Sequence, residues 1–370
     1  MNIFRIIMKL KWRYAAFAAA AALVGGCAQI GYYVQAAQGQ ISLLSDAKPI
    51  DDWLSDPEVG DKLKLRLAKI KEIRRFAARE LGLPDNATFT SYADLKRPYV
   101  LWNVVATPEL SLHPKNWCFP VAGCVNYRGY YDRGDAQAFA SELRSEQYDV
   151  QVSGVPAYST LGWFNDPVLS TFIQYPETEL ARLIFHELAH QMVYIPGDSR
   201  FNESFAVSVE EAGVERWIAT HGNDKMRASY LEHEKRKEDF LHILLKCRKK
   251  LELDYASKTS DEEKRKRKAE IFSELQDDYK ALKASWGGYA GYDRWFAEPL
   301  SNAHLALIAT YHDYVPGFKA LLEKEHSFPK YYEAVRALTA LDPQARQQRL
   351  LQLAGKTHAD DIKSAMAADD

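Results

Sequence analysis

The chain has 370 residues, 47% of them hydrophobic and 26% charged, with a formal net charge of -2. That balance suits one large folded domain or two smaller ones and excludes a wholly disordered chain. The near-neutral charge also argues against a nucleic-acid partner, which calls for a basic surface.

At the N-terminus, Arg5, Lys9, Lys11 and Arg13 form a basic start, and Ala15 to Val24 make an apolar run too short to span a bilayer comfortably. The run ends in Val24-Gly25-Gly26-Cys27, small residues before a cysteine, which resembles a bacterial lipobox. The resemblance implies a lipoprotein signal peptide over 1–26, cleavage before Cys27, and lipid on the cysteine sulfur and the new amino terminus. Acyl chains anchor durably, because each buried methylene contributes about 0.8 kcal/mol. An uncleaved signal anchor with Cys27 incidental is the alternative. The expected location is the bacterial cell envelope, facing the periplasm, with the membrane as partner through the N-terminal lipid. Ala28 stands where lipoproteins retained in the enterobacterial inner membrane commonly carry Asp, so the outer membrane is favoured. In that oxidising compartment Cys118 and Cys124, flanking Pro120 and Gly123, can close a small disulfide loop, and Cys247 reads as a packed thiol.

Residues 27–55 read as an anchor and linker, and 56–370 as the folded domain. A helix is predicted from Asp56 as N-cap and Pro57 at the first position, through Leu63, Leu67, Ile70, Ile73 and Phe76 at helical spacing, to Leu81. Gly82 and Pro84 stop it. A sheet region over 99–176 follows the N-terminal helical part at 56–98. Strands are predicted at Tyr99–Val105, Val121–Tyr131, Tyr148–Val152 and Ala157–Phe164, with a helix at Asp135–Arg144. Two helices fill 177–222; the second runs from Asn202 to Thr220, and Pro196-Gly197 lies between them. Residues 223–286 read as a charged helical hairpin turning near Ser257–Ser260, where Ser260 and Glu263 fit a capping box. Its basic run, Lys264 to Lys268, sits among acids and reads as a solvated face. Gly287-Gly288 ends the hairpin. Residues 287–370 read as helical, with one helix at Asn302–Tyr314.

The first of the paired helices contains Phe185-His186-Glu187-Leu188-Ala189-His190, a His-Glu-x-x-His pattern. Residues four apart share a helix face, so both imidazoles can aim at one point, and zinc accepts two such nitrogens. Glu187 is placed to serve the bound water rather than to ligate. One Zn2+ ion lowers that water's pKa toward about 7, and the carboxylate takes its proton. The bland alternative is two surface histidines. Against it, Leu180, Leu183, Ile184, Phe185 and Leu188 make the helix apolar, and polar groups there are costly unless satisfied. A catalytic zinc needs a third protein ligand. Glu203 is the best candidate, since Pro196-Gly197-Asp198-Ser199 can reverse the chain and return the first turn of the next helix to the metal.

His186-Glu187-Leu188-Ala189-His190-Gln191, followed by Asn202-Glu203-Ser204-Phe205-Ala206, resembles the gluzincin metallopeptidases, above all the aminopeptidase N family, whose second motif reads Asn-Glu-Gly-Phe-Ala. Their connecting segment is longer, and Glu210 stands at the offset found in thermolysin-like enzymes. The resemblance favours Glu203 over Glu210. Glu210 is left either to orient a ligand histidine or to be a solvated residue. With its lipobox, compact zinc motif and Leu300-Ser301-Asn302-Ala303-His304-Leu305, the chain is also similar over most of its length to bacterial lipoproteins described as predicted aminopeptidases.

These resemblances imply a helix-rich α+β, gluzincin-like metallopeptidase fold with a small sheet, an active-site helix pair and an inserted helical hairpin. They imply a peptide substrate and an oxyanion donor, a Tyr from a later helix in the aminopeptidase N family. Tyr292 is the candidate here, ahead of Tyr289 and Tyr311, and Asn302 is its rival. The family's Gly-x-Met-Glu-Asn segment, which holds the substrate amine, is missing. Leu161 to Asp166 stands in a similar place, where its strand could pair with a peptide and Asp166 either holds the amine or forms a turn with Pro167. The functional expectation is a lipid-anchored zinc aminopeptidase. The alternatives are an envelope endopeptidase and an inactive, lipid-anchored interaction protein with a residual zinc site.

Overall fold

In the computed structural model, which describes residues 31–119, 123–308 and 314–355, the stretch from 31 to 46 is helical (α1). The expectations on residues 1–26, Cys27 and Tyr311 lie outside the described residues. Helix α1 falls where the sequence suggests a linker, yet its Leu43 enters the main core. After it come β1 (Lys48–Pro49), α2 (Ile50–Ser55) and α3 (Asp61–Leu81). Helix α3 buries Leu67, Ile70, Ile73 and Phe76, as their spacing predicts. It starts later than expected, because Asp56 ends α2 instead and its side chain accepts the Glu58 N–H at 2.9 Å. Gly82 closes α3 in the left-handed conformation, with φ of 64°.

Next follow β2 (Ser91–Ala93), β3 (Leu101–Pro108), β4 (Trp117–Phe119), β5 (Gly123–Val125), β6 (Arg128–Tyr130), α4 (Arg133–Ser145), β7 (Tyr148–Val155) and β8 (Val168–Leu169). Three small sheets result among the described residues, ordered β1-β2-β8, β6-β3-β7 and β4-β5. The predicted strand over 121–131 is broken in two, since β5 pairs with β4 while β6 pairs with β3. Cys118 and Cys124 face each other across β4 and β5 and form a disulfide. The predicted strand over 157–164 is a loop. The buried Asp166 carboxylate accepts the Thr160 N–H and hydroxyl, both at 2.8 Å, and Leu161 and Gly162 turn through φ of 57° and 81°.

The rest is helical: α5 (Glu177–Ala189), α6 (Ser199–His221), α7 (Asp224–Ala256), α8 (Asp261–Ser285), the short α9 (Asn302–Leu305), α10 (Val315–Glu325), α11 (Phe328–Thr339) and α12 (Pro343–Leu353). The whole is a helix-rich α+β fold. The predicted helix over 302–314 shrinks to α9, which gives way to a turn at 306–307.

Helices α5 and α6 lie close together against α3. A Cβ on Gly213 would come within 2.7 Å of the Phe185 ring and 2.8 Å of Leu81, so only glycine permits this approach. Phe185, Phe76 and Trp217 form an aromatic cluster there, with Phe185 and Trp217 fully buried. Each such side chain contributes about 1.5–3 kcal/mol by leaving water.

Helices α7 and α8 form a hairpin with its own core, including Phe240, Leu244, Leu251, Ile271 and Leu275. The capping box of Ser260 and Glu263 opens α8. Two of the five residues of the basic run reach across to the sheet rather than into solvent. Arg265 bonds the Glu109 carboxylate at 3.0 Å, and Lys268 bonds Asp149 at 2.6 Å and the Glu109 carbonyl at 2.8 Å. The run docks the hairpin on the ends of β3 and β7.

Candidate metal centre and active site

Helix α5 carries His186 and Glu187 in its last turn and ends on His190. Its apolar residues Leu180, Ile184, Phe185 and Leu188 are buried on the core side. The chain then reverses before α6. The Asn202 side chain fixes the reversal by accepting the Ile195 N–H and donating to the Ile195 carbonyl, both at 2.8 Å. Asp198 caps α6 by accepting the Phe201 N–H at 3.1 Å, and buried Arg346 holds its carboxylate at 2.7 Å. Together these bonds set the first turn of α6, and with it Glu203.

The result is a convergence of three donor atoms. His186 Nε2 and His190 Nε2 lie 3.1 Å apart, and Glu203 Oε2 lies 3.3 Å and 3.7 Å from them. A tetrahedral zinc with bonds of about 2.0–2.1 Å holds its ligand atoms roughly 3.3 Å apart. On the far side of the ring, His186 Nδ1 lies 2.8 Å from Glu210 Oε2. A proton donated there leaves the Nε2 lone pair facing the centre. Three electron-pair donors then point at one spot, an arrangement that a cation between them satisfies. His, His and carboxylate suit zinc by charge and softness. These residues therefore fit one metal ion.

Charge is organised around the same point. Glu210 is buried and also receives Arg182 at 3.1 Å, which in turn contacts Glu179 and Glu234. Burial works against ionised Glu203, but His190 and His186 outweigh it and hold the carboxyl well below its usual range. Burial also works against protonated His186, yet its bonds to Glu203 and Glu210 raise its pKa. At Glu187 burial wins and pushes the carboxyl up, although both imidazoles pull it down.

His186, Glu187, His190 and Glu203 line a cleft of about 420 Å³, a volume suited to a small ligand or part of a peptide. Tyr127 and Tyr194 stand on its walls, and Tyr32 and Ala36 of α1 and Leu161 border it. Tyr292 and Asn302 are not brought to it. Tyr292 stacks on Phe240 of the hairpin with ring centroids 4.0 Å apart, and burial pushes its hydroxyl up to about 12. Asn302 is fully buried and its amide is used. It donates to the Glu109 and Ser111 carbonyls at 2.8 and 3.1 Å and accepts the Tyr255 hydroxyl at 2.9 Å. Asp166 serves the loop at Thr160.

Of the tyrosines that line the cleft, Tyr127, between β5 and β6, is the one on which both Glu203 and Glu187 act. Burial and the negative charges of Glu203 and Glu187 raise its pKa, so its hydroxyl keeps its proton. The sequence hides it inside the predicted strand Val121–Tyr131, whereas the break between β5 and β6 is what turns it to the cleft.

A family model described as "Putative aminopeptidase" matches residues 31–350. No curated protein and no solved structure matches the chain.

Proposed function

The chain belongs to the putative aminopeptidase family, which makes peptide-bond hydrolysis its general activity, and from that premise we propose that it is a zinc-dependent peptidase of the gluzincin type. The observation that carries this reading is the convergence of His186, His190 and Glu203, with donor atoms all within 4.8 Å of one another, beside Glu187 in the cleft. His186, His190 and Glu203 would hold a zinc ion, which when bound would supply Lewis-acid polarisation of the scissile carbonyl and a water whose pKa is lowered toward about 7. Glu187, beside the two histidines in the cleft, accepts the water's proton and returns it to the leaving amine. Tyr127 donates to the tetrahedral oxyanion. Glu210 takes the His186 Nδ1–H and fixes that ring.

Metal analysis and peptide hydrolysis by Glu187→Gln beside wild type test the mechanism. The variant is expected to hold as much zinc and to lose about 10²–10⁴-fold in rate. Equal activity in both proteins rules the mechanism out.

One observation favours a second reading, an envelope endopeptidase. Among the described residues lining the cleft, the only carboxylates are Glu187 and Glu203, so no separate acid waits for a substrate's free amine. Aminoacyl reporters and N-blocked peptides separate the two readings. Cleavage of blocked peptides alone removes the aminopeptidase label.

We propose that the enzyme is a lipoprotein of the bacterial envelope facing the periplasm, with residues 1–26 removed, lipid on Cys27, and the outer membrane favoured over the inner by Ala28. The basic flank, apolar run and small residues before Cys27 support this. No helix among the described residues is long and apolar enough to cross a membrane. Incorporation of labelled palmitate into wild type and Cys27→Ala is the test; equal labelling removes the anchor.

A further inference from the structure

Two stretches that border the cleft are devoid of charge. No charged residue occurs between Arg13 and Asp46, and none between Asp149 and Asp166, in a chain that is 26% charged. The first stretch supplies α1. Its Tyr32 and Ala36 line the cleft, while Tyr33, Val34 and Ile41 are 41%, 46% and 66% exposed. The second supplies the loop after β7. Its Leu161 lines the same cleft, while Trp163 and Phe164 are 70% and 49% exposed.

These segments are joined to each other. The Tyr131 hydroxyl donates to Gln40 Oε1 of α1 at 2.8 Å, and the Tyr158 hydroxyl, just before the loop, donates to the same oxygen. The loop itself is held by Asp166 and Thr160, so its aromatic pair is presented on a fixed turn. Exposed leucines elsewhere are different in kind. Leu65 stands between Lys64 and Arg66, Leu231 precedes Glu232, Leu245 precedes Lys246, and Leu253 stands between Glu252 and Asp254. Charges flank each of them, and Leu341 precedes Asp342; the exposed side chains of the two cleft segments have no charged neighbour, a property they share among the described residues with Tyr175, between Gln174 and Pro176.

An uncharged rim bearing Trp, Tyr, Phe and Ile suits the boundary between lipid headgroups and acyl chains, where Trp and Tyr concentrate. The chain also brings that boundary to the rim. Gly31 opens the described part of α1 four residues after Cys27, and four residues reach at most about 14 Å. If the Ala15–Val24 run remained as an uncleaved anchor, seven residues would separate it from Gly31, a reach of at most about 25 Å. Either way the bilayer lies close to α1.

We propose that the bilayer is the partner of this surface: the outer face of α1 and the Trp163–Phe164 loop rest in the headgroup region, and the cleft opens at the membrane. The substrate class that follows is peptide held at or emerging from the membrane surface, in preference to freely diffusing peptide. The docking part rests on the proposed N-terminal membrane anchor but not on catalysis, and the substrate part rests on the anchored-peptidase reading as a whole.

The test uses the full-length protein in phosphatidylethanolamine–phosphatidylglycerol vesicles. Ile41→Cys, Trp163→Cys and, as a distant control on the hairpin, Leu253→Cys are labelled with an environment-sensitive fluorophore and quenched by nitroxide lipid. The Cys118–Cys124 disulfide and buried Cys247 leave the introduced thiol as the reactive one among the described residues. Strong quenching at positions 41 and 163 with little at 253 is expected. Equal quenching at all three, or failure of the protein to float with the vesicles, overturns the docking. A rim that is quenched no more than the hairpin yet crosslinks to an envelope protein also overturns it and assigns the face to that protein.

In parallel, one peptide is offered free and linked to a vesicle lipid. Trp163→Glu is expected to cleave the linked peptide several-fold more slowly than wild type and the free peptide equally well. Equal rates on the linked peptide overturn the substrate inference. If wild type cleaves neither peptide, the peptidase reading and the substrate inference fall together, and the quenching still decides the docking.

Discussion

Replacing Glu210 probes the metal centre without touching a proposed ligand. Its carboxylate is 6% exposed, 2.8 Å from His186 Nδ1 and 3.1 Å from an Arg182 nitrogen. In Glu210→Gln the side-chain carbonyl can still accept the Nδ1–H, so the ring stays oriented while the negative charge behind it is lost. Arg182 keeps Glu179 and Glu234, so the salt-bridge cluster survives in part. In Glu210→Ala the Nδ1–H loses its acceptor altogether, and a buried donor left unsatisfied costs about 1–3 kcal/mol. Loss of such a partner behind a metal-binding histidine typically weakens affinity about 10–100-fold, or about 1.4–2.7 kcal/mol. Glu210→Gln is expected near the lower figure and Glu210→Ala near the upper. Competition with a chromogenic zinc chelator at pH 7 measures both, with circular dichroism to establish that each variant is folded. Folded variants with wild-type zinc affinity would refute the role of Glu210. A loss in Glu210→Gln far beyond 100-fold, with Glu203→Gln unaffected, would make Glu210 the ligand and refute the assignment of Glu203.

Tyr127→Phe should lower kcat about 10²–10³-fold at unchanged zinc content, whereas Tyr292→Phe should leave kcat near wild type; the opposite pattern returns the oxyanion role to Tyr292. Cys118→Ser with Cys124→Ser removes a short loop closure and should cost about 2 kcal/mol in denaturant unfolding, and no change would show that the loop is held by packing alone. His304 is buried, and burial outweighs its bond from the Ser301 N–H to hold the imidazole down to about 4 from the ordinary 6.5. A depressed pKa means that the fold favours the neutral ring. The associated stability is complete above about pH 6.5 and is lost as pH falls toward 4, by about 2 kcal/mol between pH 7 and 5. Unfolding midpoints of His304→Gln should depend less on pH over that window, and an unchanged slope would show that another group carries it.

What could be read from the sequence was local. The spacing of Leu67, Ile70, Ile73 and Phe76 specifies one helix face, and Ser260 with Glu263 specifies a helix start, because each involves neighbours within a turn or two. His186 and His190 meet for the same reason. Features that depended on distant partners were hidden. Lys268 looks solvated until Asp149, 119 residues away, is placed beside it. The apolar run at 157–164 looks like a strand until Asp166 draws Thr160 into a turn. Helix α1 carries no charge before its last residue, Asp46, so its two faces show little of the contrast on which amphipathic periodicity relies.

This division between local and distant has a chemical counterpart. The groups assigned to metal binding and proton transfer lie on α5 and α6, consecutive helices whose geometry is set by a short reversal, an asparagine and one capping aspartate. A motif of local spacing can therefore report the reaction. The walls that meet the substrate come from elsewhere: Tyr127 from the turn between β5 and β6, Leu161 from the loop after β7, Tyr32 and Ala36 from α1. Their positions depend on sheet pairing and on the α1 contacts at Gln40, both long-range. Substitution on those walls can change what is bound while leaving the His-Glu-x-x-His helix intact. Two chains that share this motif are thus expected to share a reaction, and their choice of peptide must be sought in the sheet and in helix α1.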